Sequence, residues 1–328
     1  MMATTLTPFS DTTLDAIARA AGGEVERRGA RLVVRPRSID DARRVVAFAA
    51  GRGLAFDGAP LVLDRSGLCY VGVVDPRSMW IRCGAGAKVA AVEEALARAR
   101  LTLGSQPPSV FGGTVASWLE GPLAGRRAMD GRLEGGVASV EAVLHDGTPL
   151  LTRAAPRSAA GPAVGQLLLG GGGRCGLLLC ATLKARPAAR QLDHLALEGK
   201  PAALAGWMRE TLQQLLLPVE ARLLGRRRIE VSCPAAGEDE IVALQRHRRR
   251  ARELGLVTSR CDPPPAAAGD EAELPSEALP ALLGAGGDVR LVRLSRESVV
   301  AVGAVPASLP RARTHADLFA RVAAALTS

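Results

Sequence analysis

Tyrosine is nearly missing from this chain. Among 328 residues there is one, Tyr70, and aromatic residues of all kinds make up 3%. That scarcity argues against a nucleic-acid surface, which interleaves stacking aromatics with basic side chains. Lysine is scarce too, at Lys88, Lys184 and Lys200 only, so arginine carries most of the positive charge behind the net +9. No apolar run approaches the roughly 18 residues of a membrane span. The first residues, MMATTLTPFSDTTLDAIARAAGG, hold no basic segment followed by an apolar core. No membrane span and no secretory signal are therefore expected, and a cytoplasmic location is the default. The six cysteines form no CxxC pair, and most lie in or beside apolar runs. They read as buried free thiols rather than ligands or disulfides. His145, His194, His247 and His315 show no HxxxH or HExxH spacing, so no metal site is expected.

What is present is enough chain for two domains. A helix over Leu14–Ala21 and a turn at Gly22-Gly23 lead into a strand, Arg31–Arg35, which Pro36 stops. Ser38 followed by Asp41 makes a start resembling a capping box. Ile39, Ala42, Val45, Val46 and Ala49 then fall on one helical face. Tyr70–Gly86 predicts two short strands around Asp75-Pro76, and Lys88–Ala99 a helix. Val137–Leu144 and Pro149–Arg153 read as strands joined by an Asp146-Gly147 hairpin turn. From Ala189 the composition changes. An edge strand is expected at Leu192–Leu197, a helix at Ala202–Leu217, a hairpin at Ala221–Leu224 and Arg228–Val231, and a charged helix at Glu238–Leu254. Residues 262–280 read as a Pro/Ala/Glu-rich loop. Strands at Val289–Leu294 and Ser298–Val302 and a helix at Thr314–Leu326 follow.

The stretch Pro156–Pro187, PRSAAGPAVGQLLLGGGGRCGLLLCATLKARP, organises the rest. Its glycines Gly170 to Gly173, then Gly176, stand between two apolar runs. Glycines in series let backbone amides crowd around a ligand, as a pyrophosphate cradle requires. They serve equally as a plain tight turn, and the Lys-Ser/Thr ending of a P-loop is absent.

These residues resemble the "GSEGTLGVITEATLRLRP" phrase of the FAD-linked oxidases with a PCMH-type flavin domain, a family that includes D-lactate and glycolate dehydrogenases and alkylglycerone-phosphate synthases. Gly170, Gly173, Gly176, Ala181, Thr182 and Pro187 are in register with it. Arg157, Ser158, Gly161 and Pro162 resemble the family's "R-x-S-(A/T)-G-P-D" lead-in. VVRPRSIDDARRVVAFAA resembles the domain's opening. The segment Gly104–Gly125 is similar to "G-H-x-P-x-S-x-x-x-(S/A)-T-(V/L)-G-G-W-(I/L)-A-T-x-x-(S/A)-G" through Pro107, Ser109, Thr114, Val115, Trp118, Leu119 and Gly125.

The resemblance implies an α+β chain with a PCMH-type FAD-binding fold of two small α/β subdomains. It places an FAD-binding-like domain at residues 1–188 and a shortened cap domain, an antiparallel sheet with helices, at 189–328. It places FAD beside Pro107, Ser109, Gly112, Gly113, Thr114, Val115, Ala116, Ser117, Gly125, Gly170, Gly173, Gly176 and Leu177. Departures accompany the matches. The "PRGGGTSL" phosphate loop has no counterpart between Gly53 and Leu61. Ala116-Ser117 replaces a glycine pair, Gly171-Gly172 replaces Ser-Glu, and the cap lacks the family's His-x-x-Gly segment and its tyrosines. No catalytic base can be named. Two readings follow. One is a homologue with weakened or lost FAD binding that serves as an accessory subunit beside a partner oxidase or electron-transfer subunit. The other is an active FAD-dependent oxidoreductase of 2-hydroxy acids or related alcohols with an atypical flavin site. The arginine clusters Arg226–Arg228 and Arg246–Arg252 read as solvated faces or as a surface for an anionic partner; no nucleic acid is expected.

Overall fold

The computed structural model describes residues 11–29, 31–54, 56, 61–104, 106, 108–121, 136–154, 164–213, 218–263, 269–292 and 298–310. Most of the Gly53–Pro60 segment, Pro107, Gly125, the Arg157–Pro162 lead-in and the helix expected at Thr314–Leu326 lie outside the described residues. Helices and sheets are mixed in an α+β arrangement with three principal sheets.

The chain begins with α1 (Asp11–Ala21) and a hairpin of β1 (Glu24–Arg28) and β2 (Arg31–Arg35). α2 (Ile39–Ala50) starts where Ser38 predicts, its hydroxyl accepting from the Asp41 amide at 3.1 Å. Ala42, Val45, Val46 and Ala49 are buried on its inner face. β3 (Leu61–Leu63) then pairs parallel to β2. Gly22, at φ +56°, passes so close to Asp41 that a Cβ would sit 2.4 Å from the carboxylate, so only glycine fits that turn.

The second sheet contains β4 (Trp80–Gly84), β6 (Val137–Leu144), β7 (Pro149–Leu151) and β8 (Gly176–Lys184), in the order β4–β8–β6–β7, all antiparallel. Only one of the two strands expected in Tyr70–Gly86 forms a ladder; the other half is held by isolated bridges, Val71 to Cys83 and Asp75 to Trp80. Helices α3 (Val89–Arg98), α4 (Pro108–Gly112) and α5 (Val115–Glu120) accompany this sheet. A two-residue ladder joins β5 (Leu101–Thr102) to β9 (Arg186–Pro187). β8 is almost wholly buried because it serves two cores. Leu178, Ala181 and Leu183 pack with Ile81, Leu96 and Leu119, whereas Leu177 and Leu179 pack with Ile17, Val34, Val45 and Leu61. Burial on both faces explains why its sequence is a continuous apolar run.

The third sheet has seven antiparallel strands: β10 (Leu192–Glu198), β11 (Glu220–Leu224), β12 (Arg228–Pro234), β13 (Val257–Arg260), β14 (Glu271–Pro275), β15 (Asp288–Val292) and β16 (Ser298–Gly303). Their order is β13–β10–β12–β11–β15–β16–β14. Helices α6 (Pro201–Leu212), α7 (Glu238–Glu253) and α8 (Leu279–Ala285) share its core through Trp207, Met208, Leu244 and Leu283. Three expectations are corrected. β10 is not an edge strand, because β13 pairs beyond it. The stretch expected as a loop at 262–280 contains β14, paired to β16 across five residues. The basic run on α7 is not simply a solvated face: Arg248 pairs with Asp193, Arg250 with Glu210, and His247 is buried edge-on to Trp207.

All six cysteines are free, but only Cys83, Cys180 and Cys233 are buried; Cys69 is exposed. Among the described residues no helix is long and apolar enough to cross a membrane, and no cluster of His, Cys, Asp or Glu could hold a metal ion.

Candidate functional site

The residues expected to hold a phosphate lie at the two ends of one short helix, α5. Six residues rise only about 9 Å. At the N-terminal end Thr114 and Ser117 close a capping box. The Thr114 amide donates to Ser117 Oγ at 2.8 Å, and the Ser117 amide donates to Thr114 Oγ1 at 3.1 Å. The Val115 and Ala116 amides donate to the carbonyls of Ala87 and Ala85, at 2.9 and 2.8 Å. The Val115 and Ala116 side chains belong to the core. Gly112 is open on its outer side, whereas a Cβ on Gly113 would meet Ser117 Oγ at 2.7 Å.

The glycine turn sits at the other end. Gly170, Gly172 and Gly173 all take positive φ, between 62° and 79°, which accounts for glycine at each. The Gly170 amide donates to the Leu119 carbonyl at 2.8 Å, and the Gly172 amide to the Glu120 carbonyl at 2.9 Å. The last carbonyls of a helix lack intrahelical partners and carry its partial negative charge. The glycine amides supply those partners. Inside the turn, Gly171 donates to Leu168, Arg174 to Gly171, and Gly176 to Gly173. His145, at the β6–β7 hairpin, places Nε2 2.7 Å from the Gly173 carbonyl. Its buried Nδ1 has no partner among the described residues. Leu177, the last of the expected site residues in this stretch, is buried in the α1–α2 core.

An ion pair that the sequence pattern does not announce stands beside this end of α5. Arg65 lies in a 3-10 turn after β3. It reaches Glu120 through two parallel bonds, Nη1 to Oε1 at 2.5 Å and Nη2 to Oε2 at 2.8 Å. Glu120 Oε1 also accepts from the Leu178 amide at 2.8 Å, and Arg65 Nη1 donates to the Leu178 carbonyl at 3.2 Å. The pair thus satisfies both backbone groups of Leu178, where β8 bulges against β6. The Glu120 side chain is 8% exposed and that of Arg65 18%. One signal could have exposed Glu120: it is a lone charge at the end of an apolar run, VASWLEG. A charge so placed needs a buried partner.

A second missed residue, Glu271, joins α4 to the seven-stranded sheet. Ser109, at the start of α4, donates its amide to Glu271 Oε1 at 2.7 Å and its hydroxyl to Glu271 Oε2. Strand pairing puts Glu271 of β14, Val302 of β16, Arg290 of β15, Arg222 of β11 and Glu230 of β12 in one row. Residues paired in this way share a sheet face. The polar face of the seven-stranded sheet therefore meets α4. Arg290 on this face pairs with Glu220, and Arg222 with Asp288. Next to Glu220, Ser232 links to His194, whose Nδ1 lies 2.9 Å from Ser232 Oγ.

Tyr70 is no general base. Burial, then its 2.8 Å contact with Cys180 Sγ, pushes its phenol well above the ordinary range, so it stays protonated at neutral pH.

Residues 30–153 match the FAD binding domain family, which indicates FAD as the cofactor of this domain. No curated protein matches the sequence. Among solved structures the chain is similar to alkyldihydroxyacetonephosphate synthase in two crystal forms. In the P1 form the TM-score is 0.63 at 14% identity, over 82% of this chain and 70% of that one. In the P212121 form the TM-score is 0.64 at 13% identity, over 82% of this chain and 66% of that one. Identity this low speaks to the fold alone.

Proposed function

Because residues 30–153 match the FAD binding domain family, we propose that the chain is an FAD-linked oxidase homologue whose dinucleotide site has been filled by its own backbone and side chains. It acts as an accessory subunit to a partner oxidase or electron-transfer protein rather than as a complete 2-hydroxy-acid oxidase. The observation that carries this reading is the engagement of the donors. Bound FAD would supply the redox chemistry, and its diphosphate needs a set of donors around it. The amides of Thr114, Val115, Ala116 and Ser117 already donate within the chain, as do those of Gly170, Gly171, Gly172, Arg174 and Gly176. On this criterion the described donors do not fit a diphosphate.

Two further observations support the proposal. Ser109, a residue expected to face the cofactor, is engaged by Glu271. The histidines His194 and His247 of the seven-stranded-sheet region are held by Ser232 and by packing on Trp207, and neither offers an evident base.

The test is spectroscopic. Protein purified without added cofactor is expected to lack flavin absorbance near 450 nm and to release no FAD on denaturation. Titration of FAD is expected to give no saturable quenching of flavin fluorescence. Stoichiometric flavin in the native protein would overturn the proposal and favour an active oxidoreductase with an unusual flavin site.

A further inference from the structure

The Arg65–Glu120 pair bears on what the site near the glycine turn can recognise. A guanidinium presenting two parallel N–H groups, with a backbone amide beside it, is the donor arrangement that binds a carboxylate or a phosphate group. Here the guanidinium is Arg65, the amide is that of Leu178, and the anion they hold is a residue of the same chain. The glycine turn is fastened to the main chain of that same residue, through the Gly172 amide and the Glu120 carbonyl. Glu120 therefore closes the site with its side chain and holds the turn with its backbone. In the sequence pattern that the segment Gly104–Gly125 resembles, the place of Glu120 is taken by alanine. This departure meets Arg65 in space, although 55 positions separate them.

We propose that Arg65 and the Leu178 amide form an anion site for a phosphate or pyrophosphate group, and that Glu120 occupies it from within. The inference rests on the reading that the dinucleotide site is filled by the chain itself, and adds which residue fills it and what its removal uncovers. Glu120→Ala takes away the internal anion and leaves Arg65 and the Leu178 amide facing a space the size of a small oxyanion. Glu120→Gln keeps the shape and the acceptor but removes the charge.

The experiment uses inorganic pyrophosphate as the probe, on full-length protein, by calorimetry and thermal shift at low and high salt. Wild type is expected to give no saturable response. Glu120→Ala is expected to bind pyrophosphate at least roughly tenfold more tightly than wild type, the scale of one or more charge-assisted hydrogen bonds. That gain should shrink as salt is raised and vanish in the double variant Arg65→Leu/Glu120→Ala. Glu120→Gln should show a smaller gain of the same sign. Equal responses from wild type and both single variants would overturn the proposal, as would folded single variants that ignore pyrophosphate. Should Glu120→Ala fail to fold, Glu120→Gln decides in the same way. A measurement on wild type stands beside both. Its Leu178 amide should exchange slowly with solvent deuterium at a rate indifferent to pyrophosphate; fast or pyrophosphate-dependent exchange would sink the idea without any variant. A wild-type protein that carries FAD removes the functional reading beneath it. A flavin-free wild type whose variants ignore pyrophosphate removes this inference alone.

Discussion

The Glu271 carboxylate takes both hydrogen bonds that Ser109 can donate, the amide at 2.7 Å and the hydroxyl beside it. The contact ties α4 to an outer strand of the seven-stranded sheet, between residues 162 positions apart. It is exposed, so its contribution is modest, about 1 kcal/mol. Glu271→Ala is expected to lower the melting temperature by about 2 °C and to speed amide exchange at residues 108–112. Unchanged exchange there would show that the two sheets do not depend on this contact.

Arg65→Leu leaves the Glu120 carboxylate buried with only the Leu178 amide for company. Breaking a buried pair from one side costs about 3–5 kcal/mol. Urea denaturation should show a large fall in midpoint for Arg65→Leu and a partial recovery in Arg65→Leu/Glu120→Ala, a coupling read from the double-mutant cycle. Additive losses would mean that the two residues act independently.

Asp64 gives a pH dependence with a definite sign. Burial pushes its carboxyl up, but the Ser66 amide at 2.9 Å, the Ser66 hydroxyl and Arg35 outweigh that, and the net position is below the ordinary carboxylate value. A carboxylate depressed in the folded state stabilises above its unfolded pKa, and the effect fades as pH falls through the folded one. Wild type should therefore exceed Asp64→Asn in urea midpoint at pH 7, with the gap closing below about pH 4. A gap that widened on acidification would contradict the assignment.

Trp207 donates its Nε1 proton to the His247 carbonyl at 3.1 Å inside the C-terminal core. Trp207→Phe keeps much of the ring but removes that hydrogen bond, which should cost about 1 kcal/mol. Chemical denaturation followed by circular dichroism provides the measurement.

Thiol reactivity should follow burial. Cys69 is exposed, whereas Cys83, Cys180 and Cys233 are buried, and burial pushes the Cys233 thiol up to about 12. Because the thiolate is the reactive form, Ellman's reagent should label Cys69 fastest in native protein. The three buried thiols should react only on unfolding, and Cys69→Ser should abolish the fast phase.

Local signals carried much of the fold. α2 was legible from the Ser38 cap and the spacing of Ala42, Val45, Val46 and Ala49, and β8 from an apolar run buried on both sides. β1, β13 and β14 were not, for a common reason. EVERR, VTSR and EAELP sit at sheet edges and are strands by virtue of backbone pairing, with little apolar alternation to mark them. At the candidate site, the glycines and the Thr114 cap could be read from their neighbours in sequence. The partners of Arg65, Glu120 and Ser109 could not, because each lies more than fifty residues away and pairing at that range depends on the tertiary arrangement.

The closure of the glycine turn on the carbonyls of Leu119 and Glu120 has a consequence for how the protein is made. A loop that is locked by its own main chain needs no guest to set it, so on the proposed reading maturation of this polypeptide is uncoupled from riboflavin supply. If that reading holds, cells starved of the vitamin accumulate it undiminished while flavin-dependent enzymes around it decline.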